Sequence, residues 1–498
     1  MKLLPFLLTL AAAPALAQGV GQAPTHDVAW YTQHAPFAMP AVPDPVIPAR
    51  TFSIQNFGAV SDGKTLNTAA FAKAIAACAA AGGGHVVVPA GTWLTGPIEL
   101  KSNLDLHTEA GAKVVFSPDH AQYPMLAAGK GQYEVTPPLW GNKLENVSVT
   151  GPGVFDGSGE SWRPLKKGKV SAAEWDRVVR SGGVLSADGK IWWPSREAMG
   201  GEALLKKLKN KPDATAEDYL PARDYLRPKM VVINGGKNVL LDGPTFRNSP
   251  NFAVNPKGIT NLTVRNCIIH NDYWAQNGDA LDVSACQNVV VYRCLINAGD
   301  DGICLKSSGD RAPDNPALRN VLVADCTVGQ AHGGFVIGSN TDGGMQNVWV
   351  TDCRFLGSDI GVRVKSNAGR GGLVHDIYVD NITMRDILHE AILFDSYYED
   401  VPAGKEKGSG LPVAATKVPD FQQFHFTNIT CQGAEVALYF RGLAQQPVHD
   451  LTFTNVSIQA TKGVEAEAIR NISFKNVQLN VAQGPAVPAG AAKEINML

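Results

Sequence analysis

The sequence has little charge, no closely spaced cysteine pair and no long hydrophobic run after its first residues. Charged residues are 18% of the 498 and the formal net charge is −2. Nothing electrostatic therefore indicates nucleic acid or a membrane surface as a partner. The eight cysteines form no C-x-x-C pair, which argues against a zinc site. A hydrophobic fraction of 45% excludes a disordered chain, and the 50 glycines are what the sequence has in excess.

The first 17 residues have the features of a secretory signal peptide. Lys2 precedes an apolar run over residues 3–13, and Ala15-Leu16-Ala17 is a small-x-small cleavage pattern before Gln18. This run is shorter than the roughly 20 apolar residues of a transmembrane helix. We therefore expect a secreted or periplasmic protein, in which the proline-rich residues 18–50 form an N-terminal leader segment.

Short segments of one pattern recur along most of the chain. Each begins with a polar residue and alternates apolar ones, as in NVLL at 238–241, NVVV at 288–291 and NVLV at 320–323. Most copies follow one another after 21–32 residues, and a second short strand follows the first. Such strands, with no helices between them, indicate stacked parallel coils. We predict an all-β parallel β-helix over residues 51–498, with an insertion at about 158–228; separate β-sandwiches would need hairpin turns every 8–12 residues or so.

The stacking predicts a cap and an internal row of thiols. The alanine-rich segment 67–81 has apolar residues at helical spacing, and such a helix would cover the open end of the solenoid. Four cysteines each follow the first residue of their repeat by six positions: Cys267, Cys294, Cys326 and Cys353. We expect them to form an inward ladder of buried thiols rather than functional disulfides.

Polar residues recur around the second strand of four consecutive coils. They are Asp279 and Asp282, then Asp300 and Asp301, then His332, and then Arg363 and Lys365. Carboxylates beside a histidine suit glycoside hydrolysis, in which one acid protonates the leaving oxygen and another carboxylate activates water. The adjacent cations would suit a sugar carboxylate. From position alone, aspartates that cap turns and a calcium site stay open as alternatives.

Four motifs, in order, resemble those of the polygalacturonases, glycoside hydrolase family 28. The matches are NGDALDV at 277–283 with N-T-D-G-x-D, GDDGICLKS at 299–307 with D-D-C-I-A-x-K, AHGGFVIGS at 331–339 with G-H-G-x-x-I-G-S, and VRVKS at 362–366 with R-I-K-T. The similarity extends upstream through 52–63, 88–107 and 246–256. It implies a right-handed single-stranded parallel β-helix, the pectin-lyase-like solenoid. Gly278 and Ala280 depart from the first motif, and Gly302 and Cys304 from the second.

The resemblance implies hydrolysis of α-1,4-linked galacturonic acid in pectin, with inversion at the anomeric carbon. The catalytic residues would be Asp279, Asp300, Asp301 and His332, and the substrate-binding residues would be Asn277, Arg363, Lys365 and Tyr397, with Tyr398 competing for the place of Tyr397. Asp300 would be the general acid, Asp279 and Asp301 would hold the attacking water, and His332 would orient the acid. We expect a monomer that acts on a pectic polysaccharide or oligogalacturonide without a cofactor or catalytic metal.

Two features favour the bacterial exo-acting branch of the family. These are the insertion at 158–228 and the step of 31 positions from Asp301 to His332, because added loops can close one end of a cleft. Surface elaboration is the alternative. Inversion predicts a separation of roughly 6.5–9.5 Å between the Asp300 carboxyl and a base carboxyl. A rhamnogalacturonan hydrolase, a calcium-dependent pectate lyase and a non-catalytic carbohydrate-binding solenoid are the other functions considered.

Overall fold

The computed structural model describes residues 25–129, 131–309, 314–398 and 417–498. A continuous sheet of 30 strands dominates it, and its strands pair in parallel from coil to coil, as between Val289, Val321 and Val348. The predicted parallel β-helix is therefore confirmed. The predicted signal peptide at 1–17 and the start of the predicted leader lie outside the described residues.

The strand pairings define three faces around one apolar core. Face 1 contains Ile98–Glu99, Leu281–Ser284, Asp301–Lys306, Gly333–Ile337, Val362–Lys365, Glu390–Asp395, Val436–Arg441 and Lys462–Glu467. Face 2 contains Thr51–Ser53, Gly84–Val88, Leu104–Thr108, Gln287–Tyr292, Leu318–Ala324, Met345–Thr351 and Ile495–Met497. Face 3 contains Gly91–Thr95, Ala112–Phe116, Val154–Asp156, Thr245–Arg247, Ile268–His270, Leu295–Asn297, Thr327–Val328 and Arg354–Leu356.

Longer strands turn a corner and contribute to two faces. Those that pass from face 1 to face 2 are Leu139–Thr150, Val231–Asp242 and Val254–Arg265. Those that pass from face 2 to face 3 are Leu373–Arg385, Asp420–Gln432, Val448–Ala460 and Ile469–Val481. Each coil therefore presents one strand of face 1 at a defined height along the axis.

The polar residue that opens each repeat lies at the corner before face 2. Asn261 and Asn288 have left-handed backbone φ angles of 64° and 56°, which asparagine tolerates better than most residues. The Asn261 side chain donates to Asn238 Oδ1 at 2.9 Å, and the Asn288 side chain donates to Asn261 Oδ1 at 3.0 Å. The amide carries both a donor and an acceptor, so the corner becomes a hydrogen-bonded ladder that fixes the stacking register.

The two structural predictions made from the stacking are confirmed. All eight cysteines are buried and free, and the four predicted ladder thiols line the core with at most 1% exposure. The capping helix is Thr68–Ala80, where 67–81 was predicted. Phe71 and Ile75 of this helix pack into the apolar core at the N-terminal end of the solenoid, and so cover the first coil.

The leader and the insertion elaborate the outside of the solenoid. Tyr31, on the leader helix Val28–His34, is buried beside Tyr292 and Trp349 of face 2. The insertion holds the helices Ala172–Arg180, Arg196–Leu208, Ala216–Tyr219 and Arg223–Leu226, and a three-stranded antiparallel sheet of Leu165–Lys166, Ile191–Trp193 and Val184–Leu185. An antiparallel hairpin, Met125–Gly129 with Gln132–Val135, precedes it. Short 3-10 helices are Ile54–Phe57, His120–Gln122, Gly159–Ser161, Lys167–Lys169, Leu220–Ala222 and Ala491–Lys493.

In the part of the chain that the structure describes, no helix is both long enough and apolar enough to cross a membrane.

Candidate active site

Successive coils of face 1 bring the predicted polar residues together. Asp282 pairs with Cys304, which pairs with Val336, which pairs with Arg363. The backbone N–H of His332 donates to the Asp300 carbonyl at 2.7 Å, which ties the histidine to the aspartate of the preceding coil. The predicted stacking of the four motifs on one face is therefore confirmed.

Three carboxylates converge at the centre of this face. One oxygen from each of Asp279, Asp300 and Asp301 lies within 4.8 Å of the other two. Asp279 and Asp301 are buried, whereas the Asp300 side chain is 22% exposed. A position among these three oxygens lies no more than about 2.8 Å from each of them. One water at that position would be within hydrogen-bond distance of all three carboxylates. The predicted gap of roughly 6.5–9.5 Å between acid and base is wrong for these nearest oxygens.

The same three oxygens could also hold a cation, since carboxylate oxygens are the preferred ligands of calcium. Two of the carboxylates already have positive neighbours. Lys306 lies beside Asp279, and Lys365 lies beside Asp301. These ammonium groups supply much of the positive charge that a metal would otherwise bring to the cluster.

Lys306 is a site residue that the sequence analysis missed. Its ammonium lies 3.2 Å from Asp279 Oδ2 and contacts Asp282 Oδ1. In the strand Asp301–Lys306, Leu305 faces the core, so the neighbouring Lys306 must face outward. The period-two alternation inside GDDGICLKS was the signal that could have found it.

Asp301 lies between the two predicted substrate-binding cations. Lys365 Nζ donates to Asp301 Oδ2 at 2.7 Å, and Arg363 Nη1 donates to Asp301 Oδ1 at 3.4 Å. Lys365 is only 4% exposed, so its ammonium is already held by Asp301. Arg363 Nε is buried without a hydrogen-bond partner among the described residues. The Arg363 side chain is 17% exposed and the Lys365 side chain 5%, so the guanidinium is the more accessible of the two cations to a sugar carboxylate.

The environment moves two of the aspartate pKa values in opposite directions. Burial, with the charge of Asp282 added, raises the pKa of Asp279 well above its ordinary value, and Lys306 only partly opposes this. Burial acts the same way on Asp301, but Lys365 and Arg363 outweigh it and hold the pKa of Asp301 well below its ordinary value. Because separated pKa values mark different roles in a carboxylate pair, Asp301 is the better placed of the two to act as a base.

His332 is held between the solenoid and the insertion. Its Nδ1 lies 3.1 Å from Asp300 Oδ1, and its Nε2 lies 2.8 Å from Lys169 Nζ. A charged lysine can only donate, so Nε2 accepts and the ring proton is on Nδ1, directed at Asp300. Burial lowers the pKa of Lys169, while the charges of Asp300 and Asp359 act to raise it.

Two more side chains complete the surroundings of Lys169. Its ammonium lies 4.9 Å from the centre of the Tyr273 ring. The Tyr273 hydroxyl donates to Asp359 at 3.2 Å, and Asp359 Oδ2 lies 3.8 Å from His332 Nε2. The sequence analysis named none of these three residues. Lys169 lies in the insertion and so has no position in the repeat.

The structure separates the two candidate tyrosines. The Tyr398 ring has the Lys365 ammonium 4.7 Å and the Arg363 guanidinium 5.4 Å from its centre. The Tyr397 ring instead has Arg441 at 4.6 Å. Tyr397 stays a prediction as a substrate contact, and by its neighbours Tyr398 is the stronger candidate.

The first motif departs from the family pattern for a steric reason. A Cβ on Gly278 would lie 2.8 Å from the Ala275 carbonyl oxygen, so threonine does not fit this backbone. The preceding Asn277 is half-buried, and its Oδ1 accepts from Arg227 Nη2 at 2.8 Å. The amide nitrogen of Asn277 and the second lone pair of its Oδ1 stay available for the substrate contact predicted for it.

Comparisons with known proteins agree on the family. Residues 166–482 match the family model described as glycosyl hydrolases family 28, and residues 51–117 match that of rhamnogalacturonase A/epimerase, pectate lyase-like. An exo-poly-alpha-D-galacturonosidase of Dickeya chrysanthemi is 26% identical over 446 residues, which cover 86% of this chain and 70% of that protein. An endo-polygalacturonase of Pectobacterium carotovorum is 25% identical over 389 residues, covering 77% and 81% respectively.

A solved structure is similar along nearly its whole length. The hyperthermoactive exopolygalacturonase of Thermotoga maritima superposes with a TM-score of 0.73 at 27% identity, covering 88% of this chain and 94% of that one. This agreement extends the match beyond the motifs to the solenoid as a whole.

Proposed function

This chain belongs to glycosyl hydrolase family 28 and is a glycoside hydrolase, and from that premise we propose that it cleaves α-1,4-linked galacturonic acid in pectin. The observation that carries the proposal is the convergence of Asp279, Asp300 and Asp301 beside the guanidinium of Arg363. The carboxylates supply acid–base catalysis of glycosidic cleavage, and the cation supplies a partner for the uronate carboxylate.

In the proposed reaction, Asp300 gives its proton to the glycosidic oxygen as the bond from that oxygen to the anomeric carbon breaks. A water held among the three carboxylates attacks the anomeric carbon, and Asp301 takes its proton with help from Asp279. We propose inversion because the family resemblance implies it and because one water fits among the three carboxylates; the spacing of their nearest oxygens, within 4.8 Å, would by itself fit a retaining pair. NMR of the first product formed gives the anomer directly, and the α-anomer as first product would overturn inversion.

We propose action at a chain end. The Lys169–His332 contact brings the insertion against the catalytic coils, and both the Dickeya relative and the Thermotoga structure are named for exo-acting enzymes. The test is a product time course on polygalacturonate and on defined oligogalacturonides. Short products of one size from the earliest time point support the proposal, and a ladder of sizes contradicts it. The same assay with rhamnogalacturonan as the substrate tests the alternative that the enzyme is a rhamnogalacturonan hydrolase.

A calcium-dependent lyase is the second candidate, since the three carboxylate oxygens could hold a cation. A lyase leaves an unsaturated product that absorbs in the ultraviolet, and it stops in a chelator. We expect unchanged activity in EDTA and no rise in absorbance.

Export is also a proposal, supported by the pattern of residues 1–17. N-terminal sequencing of the mature protein should begin at Gln18. A mature protein that still begins at Met1 would contradict this.

A further inference from the structure

A large cavity opens on face 1 beside the catalytic coils. It has a volume of about 690 Å³ and is lined by residues that include Trp140, Asn142, Arg227, Lys229, Asn251 and Asn255. Small-molecule sites commonly have about 300–1,000 Å³, so the cavity has the size of a ligand site. Its amides and its indole ring are side chains that suit the hydroxyls and the apolar faces of a sugar.

Two cations in this cavity have neutral partners. Lys229 Nζ donates to Asn255 Oδ1 at 2.8 Å, and Arg227 donates to the Gln276 carbonyl and to Asn277 Oδ1, both at 2.8 Å. Among the described residues, neither cation has an ion pair with a carboxylate.

Charge balance at the cavity favours an anionic ligand. Glu134 is the carboxylate among its lining residues, and it is exposed, as is the additional cation Lys257. Burial lowers the pKa of Arg227 to about 10 and lowers the pKa of Lys229 as well. Since burying uncompensated charge is unfavourable, an anion that entered the cavity would relieve this cost.

The cavity lies in line with the catalytic residues along the solenoid. The Asn255 side chain donates to the Asp282 backbone carbonyl at 2.8 Å, across neighbouring strands of face 1. Trp140 lies two strands from Asn255 in the same row. Arg363 lies on the other side of the acids, three strands from Asp282. At about 4.8 Å per strand, a sugar chain along the axis would pass the cavity, the acids and Arg363 in turn.

We propose that this cavity is a second uronate-binding site, in which Lys229 and Arg227 bind the carboxylate of a sugar residue on the opposite side of the acids from Arg363. The proposal rests on the proposed function and adds a subsite to it. It implies that the enzyme recognises at least two separate uronate carboxylates, one on each side of the bond that is cleaved.

The experiment compares di-, tri- and tetragalacturonate as substrates of the full-length enzyme and of Lys229→Met. This substitution removes the charge but keeps the length of the side chain. Lys237→Met, at an exposed lysine on the strand Val231–Asp242 that begins two residues after Lys229, is the matched control. We expect kcat/KM to rise with chain length in the parent enzyme and the control. Lys229→Met should lose about 10–100-fold on all three substrates, the scale of one charge-assisted hydrogen bond, because each of them places a sugar on either side of the cleaved bond.

Binding separates failure of this inference from failure of the proposed function. Calorimetry with Asp300→Asn and with Asp300→Asn/Lys229→Met measures trigalacturonate affinity without turnover. Weaker binding in the double variant supports the subsite even if no galacturonide is hydrolysed. Equal affinities, or Lys229→Met kinetics that match Lys237→Met at every length, overturn it. Inorganic phosphate that binds as tightly as trigalacturonate would also overturn it, since the cavity would then be a general anion site.

Discussion

The ammonium of Lys169 lies 2.8 Å from Nε2 of His332, while Nδ1 of the same ring lies 3.1 Å from the Asp300 carboxylate. Lys169, a residue of the insertion, thus fixes which nitrogen of His332 carries the proton. The protonated nitrogen, Nδ1, is the one that faces the general acid Asp300. The insertion therefore contacts the catalytic residues through a specific side chain, Lys169, in addition to occupying space beside them.

Lys169→Met should lower kcat by about 10–100-fold, because it removes one charge-assisted hydrogen bond from a positioned group. Lys169→Arg keeps a donor and should recover part of the loss. The pH–rate profile should change shape in Lys169→Met but not in Lys166→Met, a neighbouring lysine with an exposed side chain. An unaltered profile with an unaltered kcat would show that the contact has no role in turnover.

Asp300→Asn should lower kcat by about 10²–10⁴-fold, the usual contribution of a general acid. Asp300 is the most exposed of the three carboxylates, so the fold should tolerate the amide. A substrate whose leaving group needs no protonation should recover much of the rate. Asp176→Asn, on the exposed surface of the helix Ala172–Arg180, is the control, and an equal rate in both variants would remove Asp300 from the acid role.

Lys365 and Arg363 should respond differently to substitution. Lys365→Met leaves buried Asp301 without its closest cation, and breaking such a pair typically costs about 3–5 kcal/mol of unfolding free energy. Arg363→Gln should instead raise KM for charged oligogalacturonides more than for their methyl esters. Urea denaturation and steady-state kinetics on both variants check this, and a Lys365→Met protein as stable as its parent would contradict the assignment of its ammonium to Asp301.

The repeat in the sequence predicted the site residues that belong to successive coils. It missed the site residues that lie outside the repeat. Asp279, Asp300 and His332 each belong to a coil, so the stacking of consecutive coils places them on one face to within a few residues. Lys169 lies in an insertion with no repeat, and its approach to His332 depends on how that insertion packs. The choice of Tyr398 over Tyr397 depends on which side of the coil each ring takes after the strand Glu390–Asp395 ends, and no spacing rule gives that.

Lowering the pH should destabilise the folded protein through Asp301 and stabilise it through Asp279. A lowered pKa means that Asp301 stabilises the folded state above the ordinary aspartate pKa, about 3.9, and loses that contribution as pH falls. The raised pKa of Asp279 has the opposite sign, so its contribution is present at low pH and lost as pH rises. Unfolding free energies at pH 7 and pH 3 should show that Asp301→Asn costs more at pH 7, whereas Asp279→Asn costs more at pH 3; the reverse order would contradict both shifts.

The thiol ladder predicts that the protein, whose export we propose, contains no disulfides. All eight cysteines are free and fully buried, including Cys294 between Cys267 and Cys326 in the core. A thiol reagent should therefore label none of them in the native protein and all eight after unfolding without a reductant. Cys294→Ala should cost stability because it leaves a small cavity in a close-packed core, and a reductant should leave the melting temperature unchanged. Fewer than eight labelled thiols in the unfolded protein would contradict this, because some cysteines would then be in disulfides.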